Sequence, residues 1–418
     1  MNDYISTSSE HTTRQGKTWL LLLGIILIAA NLRAPLTSVG SLISFICDDL
    51  GLNNGMVGMI TTLPLLAFAL LSPFAPRIAN RIGIERTIFI SLLLLTCGMI
   101  IRSILGTAFL FGGTIIIGMA IAFGNVLLPG FIKMKFPLKV GVMTGIYSVS
   151  MTLVGALASG LSVPFLSIDG IGWKSSLVFW GILSVIALLV WIPQLGKQDN
   201  IKSTQAEYSP SGERKSIWKS PLAWSITVFM GMQSLMFYTM VAWLPEILQT
   251  SGYSSSASGW MLFLMQFVLI PTTFITPVIA ERMTNQKALS AVTAALFFLG
   301  TIGLLLGGGL PIIVMSAILI GIGAGSAFSL SMMFFSLRTK DGKQAAEMSG
   351  MAQSFGYLLA AIGPTMFGML RDITEGWTVP LMTLLVVAVI ILVAGVRSGK
   401  NSVISDTTSS NAQWVEAG

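Results

Sequence analysis

One arginine in the middle of an apolar stretch is the residue of this sequence best suited to hold a ligand. Arg33 stands in the run Asn31-Leu32-Arg33-Ala34-Pro35-Leu36-Thr37, inside a stretch that is apolar from about Trp19 to Phe45. A guanidinium at the centre of a bilayer costs about 2.5 to 3.5 kcal/mol even on the lenient insertion scale. Pro35 also removes a helix hydrogen bond and frees a carbonyl, which favours a bend and a cavity at this depth.

Two interpretations of Arg33 remain open. Arg33 binds an anionic or strongly polar substrate, or it is a structural residue whose donors are satisfied by helix carbonyls and neighbouring amides. No Asp or Glu of the sequence lies at a comparable depth in an apolar stretch, so Arg33 has no evident fixed counter-ion. We favour substrate binding, and we include the adjacent Asn31 and Thr37 in the predicted site.

Further polar side chains recur inside other apolar stretches. Gln233 and Phe237 are four residues apart and would share a helix face, with Tyr238 beside them, so one amide and two aromatic rings could frame a small planar or polar solute. Ordinary packing and interhelical hydrogen bonds would explain any one of these residues, but their joint occurrence in separate stretches favours a shared cavity. The other candidates are Asn125, Tyr147, Ser148, Gln353 and Tyr357.

The elements that carry these residues are membrane spans. The chain has 418 residues, of which 54% are hydrophobic and 10% are charged, so water is not its solvent. Apolar stretches of about 20 residues, enough to cross roughly 30 Å of hydrocarbon, recur about twelve times. Span one is too long for the apolar region of a cleaved signal peptide. We predict spans one to twelve at residues 18–46, 56–76, 87–105, 107–131, 140–166, 173–193, 221–248, 257–280, 288–307, 310–337, 347–370 and 376–396.

The distribution of positive charge predicts the orientation of the spans. Both termini and alternate loops hold 20 of the 24 Lys and Arg residues, and the rest are Arg33, Arg102, Lys174 and Arg371. By the positive-inside rule, the loops after spans two, four and ten face the cytoplasm. Because the number of spans is even, both termini are expected there too. The expected location is a bacterial inner (plasma) membrane.

The longest polar interval separates the chain into two halves. It follows span six and is rich in Lys, Glu and Ser. The expected organisation is a cytoplasmic tail at 1–17, a six-helix bundle at 18–193, a cytoplasmic linker at 194–220, a second six-helix bundle at 221–396 and a cytoplasmic tail at 397–418.

The two halves are sequence repeats. An offset of 201 residues aligns Gly58 with Gly259, and Pro76-x-Ile78-Ala79-x-Arg81 with Pro277-x-Ile279-Ala280-x-Arg282. At an offset of 205, Met143-Thr144-Gly145 meets Met348-Ser349-Gly350. An even number of spans separates the copies, so the repeats are parallel. The predicted fold class is an all-α membrane protein of twelve transmembrane helices in two parallel six-helix repeats.

The residue types exclude several classes of function. The single histidine, His11, lies in the N-terminal tail, and Cys47 and Cys97 fall far apart, so neither a metal site nor a disulfide framework is expected. The net charge of +7 is spread over many short loops, which does not suit nucleic-acid binding. We expect no enzyme, no catalytic residue, no cofactor, no metal and no nucleic acid. The expected partners are a small-molecule substrate and the lipid bilayer, and the chain is expected to be a monomer.

Three motifs resemble those of one known family. They are Asn31-Leu32-Arg33-Ala34-Pro35 with Thr37-Ser38-Val39-Gly40, the run from Gln233 to Pro245, and Ser349-Gly350-Met351-Ala352-Gln353-Ser354-x-Gly356-Tyr357-Leu358-Leu359-Ala360. Together they resemble the cyanate permease and 2-nitroimidazole transporter family of the major facilitator superfamily. The resemblance covers essentially the whole membrane domain. It implies the twelve-helix fold of that superfamily and alternating access between the two halves.

The segment Pro76-Arg77-Ile78-Ala79-Asn80-Arg81-Ile82-Gly83 resembles the cytoplasmic gating loop of the same superfamily. Asn80 stands where most members have Asp, so the usual charge pair of that loop is absent. The resemblance implies a gating segment that includes Asn80, Arg81, Gly83 and Arg86, and the repeat alignment adds Arg282. We expect Pro76 to Arg81 and Pro277 to Arg282 to form equivalent cytoplasmic turns.

Members of this family are assigned to solutes as different as an inorganic anion and neutral nitro-heterocycles. The expected function is therefore secondary transport of a small polar or anionic solute, such as a cyanate-like anion or a small nitro-heterocycle. Efflux of small antimicrobial compounds is an alternative, although span five lacks the Gly-Pro signature of antiporters. A membrane sensor that binds a solute without transporting it is the alternative from another class. The lack of buried carboxylates leaves uniport, exchange, or symport in which the substrate or an unusual group carries the proton.

Overall fold

The structure is a computed structural model that describes residues 19–52, 54–104, 106–168, 172–195 and 217–404. The predicted N-terminal tail, most of the predicted linker and most of the predicted C-terminal tail lie outside these residues. Within them the chain forms helices and their connections and no β-strand. Backbone polar groups satisfied inside each helix suit a chain surrounded by hydrocarbon.

The first half contains six spans, three of which are interrupted. Span one consists of a helix at residues 19–31 and a second helix, Ala34–Leu50. Span two consists of Asn54–Leu71 and Ala75–Ile82, and span six of Trp173–Phe179 and Gly181–Leu195. The uninterrupted spans three, four and five are Ile84–Ile104, Gly106–Lys135 and Val140–Ser162.

The second half contains six uninterrupted helices. Two short 3-10 helices, Pro164–Ser167 and Ile217–Lys219, lie before span six and span seven. Several helices extend beyond the predicted spans, because the helix continues into the polar boundary that hydropathy excludes. Spans seven to twelve are Pro221–Thr250, Ser255–Arg282, Lys287–Leu306, Leu310–Leu337, Gly342–Thr374 and Thr378–Ser398.

The apolar character of the helices agrees with twelve spans. By length and composition, ten spans within the described residues could cross a membrane, and the bent pair in span two makes an eleventh. Span eleven is not among them because its middle is less apolar and carries Gln353, Ser354 and Tyr357. Its packing between the other helices identifies it as the remaining span.

The pairs of spans that pack together repeat between the halves. Spans one and five pack in the first half as spans seven and eleven do in the second, and the pairs two–four, three–four and three–six recur as eight–ten, nine–ten and nine–twelve. The halves meet where spans two and four pack against span eleven, and where span five packs against span eight. The six-span period confirms the predicted fold of two parallel repeats.

The predicted turns at Pro76 to Arg81 and Pro277 to Arg282 are helical, so the predicted secondary structure was wrong there. In the first half, Ala75–Ile82 is a short helix bent by 55° from Thr62–Leu71. In the second half, the corresponding residues belong to the uninterrupted helix Ser255–Arg282. Pro73 explains the difference, because the residue at the same offset is Phe274, which can stay in a helix.

The residues of the predicted gating segment flank the junction of spans two and three. Asn80 and Arg81 lie in the short helix, and Arg86 lies in the first turn of span three. Gly83 separates the two helices and has a φ of 96°, a left-handed value that favours glycine. Arg282 is the last residue of span eight. These residues therefore stand at helix ends and not in an extended loop.

The orientation predicted from charge leads to a labelling prediction. We call the face where span one begins and span twelve ends the termini face, and the other the opposite face. In a chain without Cys47 and Cys97, we expect an impermeant maleimide added to intact cells to label Asp372→Cys, at the opposite face, and to spare Lys340→Cys, at the termini face. Opening the cells should allow both to be labelled. The reverse pattern in intact cells would contradict the assignment of the termini face to the cytoplasm.

Candidate functional site

Span one is interrupted at Leu32 and Arg33. Pro35 has no N–H group to donate to the Asn31 carbonyl, so the regular hydrogen-bond ladder stops here. The N–H groups of Leu36 and Thr37 both donate to the Arg33 carbonyl, at 3.0 and 3.1 Å. The break therefore places Arg33 at the start of the second helix of span one, in the interior of the bundle.

A cavity of about 470 Å³ lies between the two halves. It extends from Arg33 toward the opposite face, where Val39, Ile60 and Thr365 line it. A pocket of about 40 Å³ adjoins it and adds Gln233 to the lining. The structure thus brings seven of the predicted substrate-binding residues to two adjoining pockets: Arg33, Thr37, Asn125, Gln233, Phe237, Tyr238 and Tyr357.

Arg33 enters the cavity as a cation without a fixed counter-ion. Its Cζ lies 5.8 Å from the centroid of the Phe237 ring, a distance typical of a cation–π contact. The aliphatic part of the Arg33 side chain packs against Gly155 of span five. A Cβ added to Gly155 would lie 2.5 Å from Arg33 Cγ. The Thr37 hydroxyl also links spans one and five, because it donates to the Gly155 carbonyl at 2.7 Å. Among the described residues, the guanidinium has no hydrogen-bond acceptor, and no Asp or Glu lines either pocket.

Aromatic side chains of the second half form the wall that faces Arg33. Phe237 and Tyr238 of span seven have ring centroids 5.4 Å apart, nearly at right angles. Tyr357 of span eleven packs against Phe68 of span two, with centroids 4.9 Å apart. Aromatic faces beside a cation suit a flat solute that carries oxygen atoms on one edge.

Asn125 connects the cavity wall to a buried network between the halves. Its Oδ1 accepts a hydrogen bond from the Tyr147 hydroxyl at 2.9 Å, and its carbonyl accepts one from Gln353 Nε2 at 3.0 Å. Gln353 also donates to the Ser349 hydroxyl at 2.8 Å. Tyr147 and Gln353 therefore lie behind the cavity wall, where they position Asn125. Ser148 lines neither pocket, and its buried hydroxyl has no hydrogen-bond partner among the described residues.

Asn31 does not reach the cavity, contrary to its placement in the predicted site. Its side chain is buried, and its amide donates to the carbonyls of Leu27 at 2.8 Å and Leu183 at 3.1 Å. The bond to Leu183 shows that Asn31 faces span six, whereas Arg33, beyond the break, faces the cavity. Asn31 thus joins spans one and six.

Sequence reasoning missed Arg102. Its side chain is 2% exposed and lines the same cavity as Arg33. Its Nη1 donates to the Pro35 carbonyl at 2.7 Å. Gln266 of span eight is a second missed lining residue. The available signal for both was a polar side chain within an apolar span.

The two halves are in close contact at the termini face. A Cβ at Gly130 would lie 2.5 Å from the Gly342 carbonyl oxygen, and one at Gly141 would lie 2.5 Å from the Pro277 carbonyl oxygen. Lys133 of span four also donates to Ser336 and Thr339 at the end of span ten, where helix carbonyls favour a cation. These contacts close the termini face below the cavity.

The family model of the Major Facilitator Superfamily matches residues 21–364. The chain is 46% identical to the uncharacterized transporter YycB of Bacillus subtilis, over 94% of this chain and 96% of the relative. It is 38% identical to the 2-nitroimidazole transporter of Escherichia coli, over 93% and 98%, and 25% identical to the cyanate transport protein CynX of the same organism, over 85% and 91%.

A solved structure shows the same fold at low sequence identity. The proton:xylose symporter XylE bound to 6-bromo-6-deoxy-D-glucose superposes with a TM-score of 0.72, at 12% identity, over 90% of this chain and 95% of that chain. The likeness concerns the fold alone. The family match and the relatives confirm the resemblance seen in the span-one, span-seven and span-eleven motifs. The chain belongs to the Major Facilitator Superfamily, in the family of the 2-nitroimidazole and cyanate transporters, and it is a membrane transporter of a small solute and not an enzyme.

Proposed function

We propose that this chain transports a small planar anion by alternating access and that Arg33 binds the anion. The observation that carries the proposal is the Arg33 guanidinium, which lines a cavity between the halves without an acidic partner among the described residues. A charge in that position is expensive unless an opposite charge accompanies it. The transported anion supplies that charge when it binds.

The chemistry of the lining favours a flat solute with oxygen or nitrogen acceptors. A guanidinium presents a planar fork of donors that can make two parallel hydrogen bonds to one anion. Phe237, Tyr238 and Tyr357 supply apolar walls beside it. A cavity of about 470 Å³ holds a small organic anion with water around it.

A small neutral nitro-heterocycle is the second candidate substrate. The aromatic wall favours it, because a ring can stack there while a nitro group accepts hydrogen bonds from Arg33. The relative named for 2-nitroimidazole supports this candidate, and the relative named for cyanate supports the anion. Gln233, in the smaller pocket, offers both donors and acceptors to such a ring.

The arrangement of the halves supports alternating access. The cavity lies toward the opposite face, while glycine contacts and Lys133 close the termini face. Parallel repeats can exchange these roles by rocking about the central site. Among the described residues, the lining supplies no carboxylate for a proton relay, which favours uniport or exchange of anions. We place both termini in the cytoplasm of a bacterial inner membrane.

Uptake by purified protein in proteoliposomes tests the proposed function. We expect accumulation or exchange of at least one labelled solute from a panel of cyanate, nitrite, benzoate and 2-nitroimidazole, and none of a cationic compound of similar size such as imidazolium. Empty liposomes are the control. Binding of a panel member without movement across the membrane would indicate a sensor. Transport of cations in preference to anions would contradict the role of Arg33.

A further inference from the structure

Arg102 is the second cation of the cavity, and its side chain is held in one place. It is 2% exposed, so it reaches neither bulk water nor lipid headgroups. Its Nη1 donates to the Pro35 carbonyl at 2.7 Å, two residues beyond Arg33 along span one. Because Pro35 belongs to the helix that leads to the opposite face, Arg102 lies on the side of the cavity nearer that face.

The remaining donors of Arg102 have no partner. Nε and Nη2 are buried and make no hydrogen bond to any described residue. These two nitrogens form one edge of the guanidinium, the edge whose two parallel N–H groups fit the two acceptor atoms of a carboxylate or a similar anion. Leaving charged donors buried and unsatisfied is strongly unfavourable, so this edge needs an acceptor.

The surroundings of Arg102 favour an anion as that acceptor. The lining of the cavity contains Arg33, Arg102 and Thr114, but no Asp or Glu among the described residues. The Thr114 hydroxyl donates to the Leu110 carbonyl at 2.7 Å, and as a neutral group it cannot balance the charge of Arg102. Two guanidiniums in one low-dielectric cavity create a positive potential that attracts anions.

We propose that Arg102 forms a second anion-binding position, which holds a small monovalent oxyanion or pseudohalide on its Nε and Nη2 edge. The proposal rests on the proposed function, since it uses the same cavity and the same class of solute. Arg33 and Arg102 then bind one anion each at successive depths. The anion at Arg102 occupies the part of the path between Arg33 and the opposite face.

Two bound anions give the cavity a mechanism for exchange. A pair of monovalent anions neutralises the pair of guanidiniums, and mutual repulsion between the anions lowers the affinity with which each is bound. An anion that arrives at Arg102 therefore promotes release of the one at Arg33 once that site opens to the termini face. Binding at several sites with rapid release is a known requirement of selective conduction.

Equilibrium dialysis with radiolabelled thiocyanate, a linear monovalent pseudohalide, counts the sites on the purified full-length protein. We expect two thiocyanate ions per wild-type chain, one in Arg102→Gln, one in Arg33→Gln and none in the double variant. Arg371→Gln is the matched control, because it removes one positive charge at the opposite face outside the cavity, where Arg371 pairs with Glu246 and Asp372. The control should still bind two.

Several outcomes would overturn the second position. A single site in the wild type, or two sites in Arg102→Gln, means that water alone satisfies the Arg102 edge. A full count in Arg33→Gln would contradict the proposed function instead, so the two failures are distinguishable. If Arg102→Gln does not fold, Arg102→Lys tests the same edge, because lysine keeps the charge without the fork. We then expect the second site to weaken at least tenfold, and unchanged affinity would overturn the proposal.

Discussion

Replacement of Arg33 by alanine is expected to lower solute uptake at least about a hundredfold, which corresponds to a loss of about 3 kcal/mol of binding. Arg33 is the cation at the junction of both pockets, and no described acidic residue compensates it. The loss should appear as a lower initial rate of uptake of the transported panel solute in proteoliposomes. Arg33→Lys should keep a fraction of the uptake, since it preserves the charge but loses the planar fork.

The structural interpretation of Arg33 predicts a different result. If Arg33 mainly holds spans one and five together, Arg33→Ala should lower the melting temperature of the ligand-free protein, and any folded protein should transport at nearly the native rate. We expect the ligand-free melting temperature to change little, because the guanidinium contacts the face of one ring and donates no hydrogen bond to a described residue. Arg371→Ala is the charge-matched control and should transport normally.

Replacement of Gly141 by leucine is expected to prevent closure of the termini face. A Cβ at this position would lie 2.5 Å from the Pro277 carbonyl oxygen and 2.7 Å from Glu281 Cβ, so the ends of spans five and eight must separate. Overpacking of this kind costs about 1 to 3 kcal/mol, which changes the ratio of two conformations about fivefold to 150-fold. The variant should therefore favour a state open to the termini face.

The distance between spin labels at Leu138 and Lys340 measures this change. Both residues are exposed at the termini face, on different halves of the protein. We expect longer distances in Gly141→Leu than in the parent protein, and a smaller shift in Gly141→Ala. Gly160→Leu is the matched control in the same helix, because no atom lies within 4 Å of a Cβ there. An unchanged distance in Gly141→Leu would show that this contact does not close the face.

The parts of the site that follow from helix periodicity could be predicted from sequence. Gln233 and Phe237 share a helix face with Tyr238 beside them, and their place in the pockets agrees with that spacing. Arg33 is conspicuous because a cation in an apolar span needs a partner or a cavity. The fold class follows from the recurring apolar stretches and from the repeat offset, which the paired packing of spans reproduces.

The remaining residues depend on contacts between distant segments. Asn31, Tyr147 and Gln353 are polar and buried like true lining residues, but their partners are carbonyls and side chains of other spans. Arg102 is buried because its guanidinium reaches the Pro35 carbonyl of another span. The bend in span two depends on Pro73, whose effect on helix direction is not visible in hydropathy. These contacts join segments that are far apart in the sequence, so no periodic pattern of residues reveals them.

The composition of the cavity wall differs between the two halves. Both cations, Arg33 and Arg102, belong to the first half, whereas Phe237, Tyr238 and Tyr357 belong to the second. Under the proposed function, the first half recognises the charge of the solute, and these three rings of the second half contact its faces. When the halves rock, a bound anion would move with the first half, while the aromatic surface of the second half moves relative to it. Substitutions in the second half could therefore change the size of the solute ring that is accepted, and charge selection by the first half would remain intact.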